Sequence, residues 1–249
     1  MKWSADLLPS LLGISILVLL ATAVLSVYRA PHRWAPALAV LRGTLQLAVI
    51  SVILTGVISS GLWVGVALGV MFVVAAATAS HRLGWSLAHA GLVTSAMALG
   101  IAMTLSIVFA TGAIEFSPRY ALAIGGIVIG NSMSIATLAG RRFTEAVGDR
   151  WEEVEGWLAL GATPRQSTLD IARSSVYSAL IPSTDQTKTT GLVTLPGAFV
   201  GAIFGGVSPL EAGRFQIVVL AGIMAAGAIT AVVLVAGLAP VRVKPRPVS

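Results

Sequence analysis

Few side chains in this sequence could do chemistry, and most of them lie inside long apolar runs. Gln46 is one, and the run Gly130-Asn131-Ser132-Met133-Ser134 is the densest group. Thr94, Ser95, Thr104 and Ser106 share another run. Asn131, Ser132 and Met133 offer amide, hydroxyl and thioether ligands within about two helical turns. Neutral ligands of this mixture can hold a cation weakly and let it leave, as conduction requires. The same groups also serve as hydrogen-bonding glue between helices, and both readings stay open. Leu195-Pro196-Gly197, followed by Gly201 and Gly205, is a second candidate. Pro196 removes a backbone bond and places a kink or break there. The glycine spacing lets another helix approach closely. Together they read as a hinged helix at a subunit or pathway interface, or as static packing.

Other chemistries lack their residues. There is no cysteine, so disulfides and thiolate sites are excluded. The three His sit in loops, with no H-E-x-x-H pattern and no paired carboxylate within an apolar run. A serine nucleophile has no candidate base at membrane depth. No lysine lies in a G-x-x-x-x-G-K-[ST] loop, so no ATP site is expected in this chain and it is not expected to be an enzyme. Proton carriers need an ionisable group at membrane depth; only Arg42, at the mouth of one run, comes close.

The elements that must position these residues follow from composition. The 249 residues are 56% hydrophobic and 10% charged, with mean hydropathy +0.91. Soluble domains carry about 25% charged residues, so this chain cannot cover a water-facing surface. The fold class is all-α, a polytopic integral membrane protein. Apolar runs near the length of about 20 residues that crosses a bilayer predict about seven transmembrane helices: 7–27, 37–58, 61–79, 90–114, 120–139, 191–206 and 215–238. With the N-terminus outside, the inner segments collect all basic residues except Lys2, Arg119 and Arg214. The positive-inside rule therefore explains the net charge of +6 and needs no nucleic acid. The C-terminus and the long stretch 141–188 are then cytoplasmic.

That stretch holds half of the charged residues and reads as two amphipathic cytoplasmic helices between spans five and six. Val147, Trp151, Val154 and Leu158 recur at helical spacing in the first, and Gly161 fits its C-terminal stop. Thr163-Pro164-Arg165-Gln166 reads as a capping box that starts the second. Leu169, Ala172, Val176 and Leu180 give the second an apolar face, and Pro182 ends or kinks it. The acidic wet face of the first helix suits a protein partner better than anionic lipid.

These residues resemble a known family. Gly126-Ile127-Val128-Ile129-Gly130-Asn131-Ser132-Met133 is similar to the G-x-x-I-G-N-S-M segment of FetB-like permeases, membrane subunits of bacterial ABC transporters described as iron exporters. Glu155 with Leu160-Gly161-Ala162-Thr163 resembles the family's E-x-x-x-A-L-G-A-T segment. Leu195-Pro196-Gly197 is similar to its L-P-G-M turn, Phe215-Gln216-Ile217 to its Y-Q-I segment, and Arg42 with Gln46-Leu47 to its R-x-x-x-Q-L segment. Ala198 departs from the usual Met. Ser183-Thr184-Asp185-Gln186 departs from a stretch that often carries Asn and Met.

The resemblance implies a permease over residues 1–249, with an ATPase-docking segment at 141–188. It implies a homodimer in the bacterial inner membrane, powered by a separate FetA-like ATPase that binds the ATP and Mg. No cofactor is expected on this chain itself. A metal cation such as iron is the cargo implied, with no metal ligands assigned. Gln46, Gly130, Asn131, Ser132, Met133, Pro196 and Gly197 would line the pathway. Trp151, Glu155, Gly161, Ala162 and Thr163 would couple to the ATPase. The alternative class is an ion-coupled or passive carrier or channel acting without an ATPase; a third is a membrane scaffold.

Overall fold

A computed structural model describes residues 3–57 and 60–245, with side chains described for 9–51 and 60–245. Lys2 and Arg246, assigned above to the two ends of the topology, lie outside the described residues, as does the 58–59 link between the second and third runs. The described residues form ten helices: α1 Trp3–Val27, α2 Ala35–Val57, α3 Gly61–Arg82, α4 Leu87–Ala110, α5 Pro118–Asp149, α6 Trp151–Ala159, α7 Pro164–Ser167, α8 Leu169–Thr189, α9 Gly197–Phe204 and α10 Pro209–Leu238. The all-α membrane class is thus the observed one. Among the described residues, five helices are long and apolar enough to cross a bilayer: α1 from Pro9, α3, α4, α5 and α10; the part of α2 with described side chains, Ala35–Ser51, is a shorter apolar helix.

The chain divides into two units, residues 1–58 and 59–249. In the first, α1 and α2 pack on each other. Leu12, Ile16, Leu19 and Leu38 stay exposed. Lipid solvates such side chains, so no polar face is needed.

The second unit is built around α3, α4, α5 and α10. Helices α5 and α10 run parallel. At one end the Tyr120 and Phe215 rings lie 5.5 Å apart; further along, a Cβ at Gly227 would meet Ile135. α3 runs parallel to α5, with Leu68 over Gly125 and Leu83 over Gly140. α4 runs antiparallel to α10: the Thr230 hydroxyl reaches the Ala96 carbonyl at 3.4 Å, and Thr104 faces Gly222. Glycine is required where backbones touch. A Cβ at Gly100 would stand 2.6 Å from the Ala226 carbonyl oxygen. Such small-residue contacts are how helices associate where lipid offers no hydrophobic drive. Val93, Met97, Ile124, Val128, Ala136, Ala226 and Leu234 fill the core.

The sixth expected span, 191–206, is not one helix. Residues 190–196 form a turn closed by Gly191 N–H to the Thr194 carbonyl (2.8 Å) and Val193 N–H to the Thr189 carbonyl (2.9 Å). Gly191 takes the left-handed backbone that glycine allows, at φ 90°. The eight-residue α9 is about 12 Å long, against a hydrocarbon core of about 30 Å.

α8 also departs from expectation. It does not stand apart from the bundle; it lies in the groove between α5 and α10. The Thr168 hydroxyl donates to the Ala239 carbonyl at 2.8 Å, Leu180 meets the Gly227 position, and the Thr184 hydroxyl points at the Met224 sulfur at 3.9 Å. Beyond the turn, Phe199 of α9 lies beside Gly213. Each step forward along α8 and α9 is matched by a step back along α10. Together the two helices accompany α10 from its last residue almost to its first. α8 passes through Pro182 without ending. Ile171, Ser175 and Ala179 are buried; of the expected face, Ala172, Val176 and Leu180 pack half-buried beside them and Leu169 is exposed.

Candidate functional site

Asn131 sits on α5 one turn before Ile135, and Thr184 sits on α8 one turn beyond Leu180. Ile135 and Leu180 converge on Gly227 of α10. Thr184 in turn reaches Met224, less than one turn from Gly227. Asn131, Thr184 and Met224 therefore occupy one level, at about half the length of α10, which is about 45 Å for its thirty residues.

The neighbours of Asn131 do not converge as the linear run suggested. Successive helical residues point about 100° apart. Gly130 and Ser134 are exposed, and the Ser134 hydroxyl donates back to the Gly130 carbonyl at 3.2 Å. Asn131 is half-buried and donates its amide N–H to the Ile127 carbonyl at 2.9 Å. Ser132 points inward, 1% exposed, with no hydrogen-bond partner for its hydroxyl. Met133 packs against the core. Thr104 on α4 has a buried hydroxyl in the same condition as Ser132. Gln46 is exposed on α2, in the other unit. Pro196 is the extended residue before α9, and Gly197 is its first residue. A Cβ at Gly197 or Gly201 would meet open space, so among the described residues no helix packs on the glycine ridge. Among the described residues, no group of three or more His, Asp or Glu could hold a metal ion.

The second arrangement is an elbow at the other end of α8. α6 ends in a Schellman turn. The Ala162 N–H donates to the Trp157 carbonyl and the Gly161 N–H to the Leu158 carbonyl, both at 3.0 Å, with Gly161 at φ 90°. The next residue opens the expected capping box. Thr163 accepts from the Gln166 N–H, and the Gln166 side chain accepts from the Thr163 N–H at 2.9 Å. Thr168 then ties the elbow to the end of α10. Stop, start and anchor thus fall within a few residues, which fixes the direction in which α6 leaves α8.

Of the coupling candidates, Glu155 and Thr163 are exposed and Ala162 is half-buried. Gly161 and Ala162 line a hollow of about 470 Å³ together with Trp157, Leu160 and Gln166. Trp151 is half-buried and packs on the cluster of Val147, Val154 and Ile171, which anchors the elbow. Trp157 and Leu160, 52% and 82% exposed, are the most exposed large apolar groups at this hollow, which Leu169 also lines. Trp157 lies off the Val154–Leu158 stripe, and that offset is the signal in the sequence that it faces outward.

A bundle of apolar helices with small-residue contacts, an accompanying polar helix and an external elbow defines a polytopic membrane protein. Residues 8–240 match the uncharacterised protein family UPF0014, and the chain belongs to that family. It is 34% identical over 221 residues to the UPF0014 membrane protein YjkA of Bacillus subtilis, covering 88% of each chain. It is 36% identical to the UPF0014 membrane protein STAR2 of Oryza sativa subsp. japonica, over 78% of this chain and 69% of that one. It is also 38% identical to the Probable iron export permease protein FetB of Escherichia coli, over 46% of this chain and 44% of that protein. No solved structure matches.

Proposed function

We propose that the chain is the membrane-spanning permease subunit of an ABC transporter that exports a metal cation such as iron. A FetA-like ATPase subunit docks on its elbow and supplies the ATP and Mg chemistry. Two copies of the chain form the pathway. The observation that carries this reading is the elbow itself. A rigid Schellman turn and capping box present Glu155, Trp157 and Leu160 outward, while Thr168 links the same segment to α10. A push on α6 would reach the level of Asn131 through α8. The relative named for iron export supports the cargo.

The docking surface is narrower than 141–188. It comprises the end of α5, α6 and α7, because α8 runs back alongside α10. The path of α8 and α9 supplies the sixth crossing, so seven crossings remain, with the N-terminus outside and the C-terminus cytoplasmic. The membrane in question is the bacterial inner membrane. Glu155→Arg places a cation on the docking face without touching the bundle. It is expected to abolish ATP-driven efflux while the protein stays folded in detergent. Efflux coupled to hydrolysis at the unsubstituted rate overturns the assignment.

A further inference from the structure

We infer that the outward stripe of α8 lines a water-filled route through the membrane, with Asp185 as the group that meets a cationic cargo at mid-depth. The depth follows from α10. Thr184 touches Met224 near the middle of that apolar helix, and Asp185 is the next residue. The stripe is Ser174, Tyr177, Ile181, Asp185 and Lys188, spaced three or four apart and all exposed, on a different face from the buried Ile171, Ser175 and Ala179. Asp185 and Lys188 pair at 3.3 Å with side chains 61% and 69% exposed. A carboxylate and an ammonium at this depth do not face hydrocarbon; such groups face water or protein and mark ion pathways.

The backbone agrees. Residues 190–196 leave the helix between α8 and α9, and non-helical backbone at membrane depth is tolerated only beside a cavity or protein. Pro182 has no N–H to offer the Ser178 carbonyl one turn back. Thr189 and Thr190 bond back to the carbonyls of Asp185 and Gln186 at 2.9 and 2.7 Å. Polar backbone and side-chain groups therefore concentrate on this one segment. The assignment of the cargo as a cation rests on the permease reading; the water-lined stripe does not.

The chain has no cysteine, so single cysteines can be introduced without background. Ile181→Cys and Asp185→Cys are exposed in membranes to a cationic, membrane-impermeant methanethiosulfonate. Met103→Cys, at the same depth on α4 beside Thr104 and 46% exposed, is the reference. Labelling of both stripe positions at least about tenfold faster than Met103→Cys is expected for groups in water rather than hydrocarbon. Equal rates at all three overturn the inference. Ile181→Cys, which removes no charge, carries the test if Asp185→Cys does not fold. Labelling needs no ATPase, so it can fail while ATP-driven transport succeeds, or the reverse. With transport established, Asp185→Asn is expected to lower iron efflux and leave ATPase binding intact; unchanged efflux removes the cargo role.

Discussion

Replacing Gly161 by alanine isolates the backbone cost of the elbow. No atom lies within 4 Å of a Cβ built at this position, so sterics with neighbours contribute nothing. The cost is conformational: φ of 90° is left-handed, which an L residue adopts at about 1–2 kcal/mol. That free energy loosens the Schellman turn, so hydrogen exchange at the Ala162 amide should speed up by about five- to thirtyfold. Asparagine tolerates this region better, so Gly161→Asn should show a smaller rise. The midpoint of thermal unfolding, set by the α3–α4–α5–α10 core, should stay unchanged in both. Exchange mass spectrometry on the detergent-solubilised protein reads the amide directly. Equal protection in all three proteins, or a larger loss in Gly161→Asn than in Gly161→Ala, refutes the reasoning.

Thr168→Val removes the buried bond to the Ala239 carbonyl and should cost about 1–3 kcal/mol, read as a lower thermal midpoint; Thr168→Ser should retain most of it. Gly100→Ala sets a Cβ against the Ala226 carbonyl and should destabilise by about 1–3 kcal/mol, whereas Gly130→Ala, with open space around it, should not shift the midpoint. Asn131→Leu should lower metal export at unchanged stability, because the Asn131 amide donates to the Ile127 carbonyl of its own helix; unchanged cellular metal content would remove Asn131 from the pathway.

Local signals in the sequence are legible, and long-range packing is not. The Thr163–Gln166 box and the Gly161 stop depend on residues within one turn of each other, and they form where the spacing puts them. The long apolar helices follow from composition alone. The sequence marks α8 as an amphipathic helix of the polar stretch 141–188, but its path along α5 and α10 is set by packing that no local pattern encodes. Of its expected apolar face, Ala172, Val176 and Leu180 pack on the cluster beneath while Leu169 stays exposed. Between helices in a membrane, small residues such as Ser175 and Ala179 make the close contact, while Leu169, Tyr177 and Ile181 point outward. Hydrophobicity does not rank burial there. The break at 190–196 hid within an apolar run because Leu192, Val193 and Leu195 are exposed turn residues, 93%, 78% and 61%, not core. The Asn131 run looked like a ligand cluster in one dimension, and helical rotation disperses it.

In the proposed transporter, energy enters through a separate ATPase at the elbow. The most direct test is iron efflux from vesicles reconstituted with the purified chain, with and without a cognate ATPase and ATP. Efflux is expected only when the ATPase and ATP are both present, and is expected to be lost in Glu155→Arg. Efflux by the chain alone, down an ion gradient, would contradict the proposal and identify a carrier.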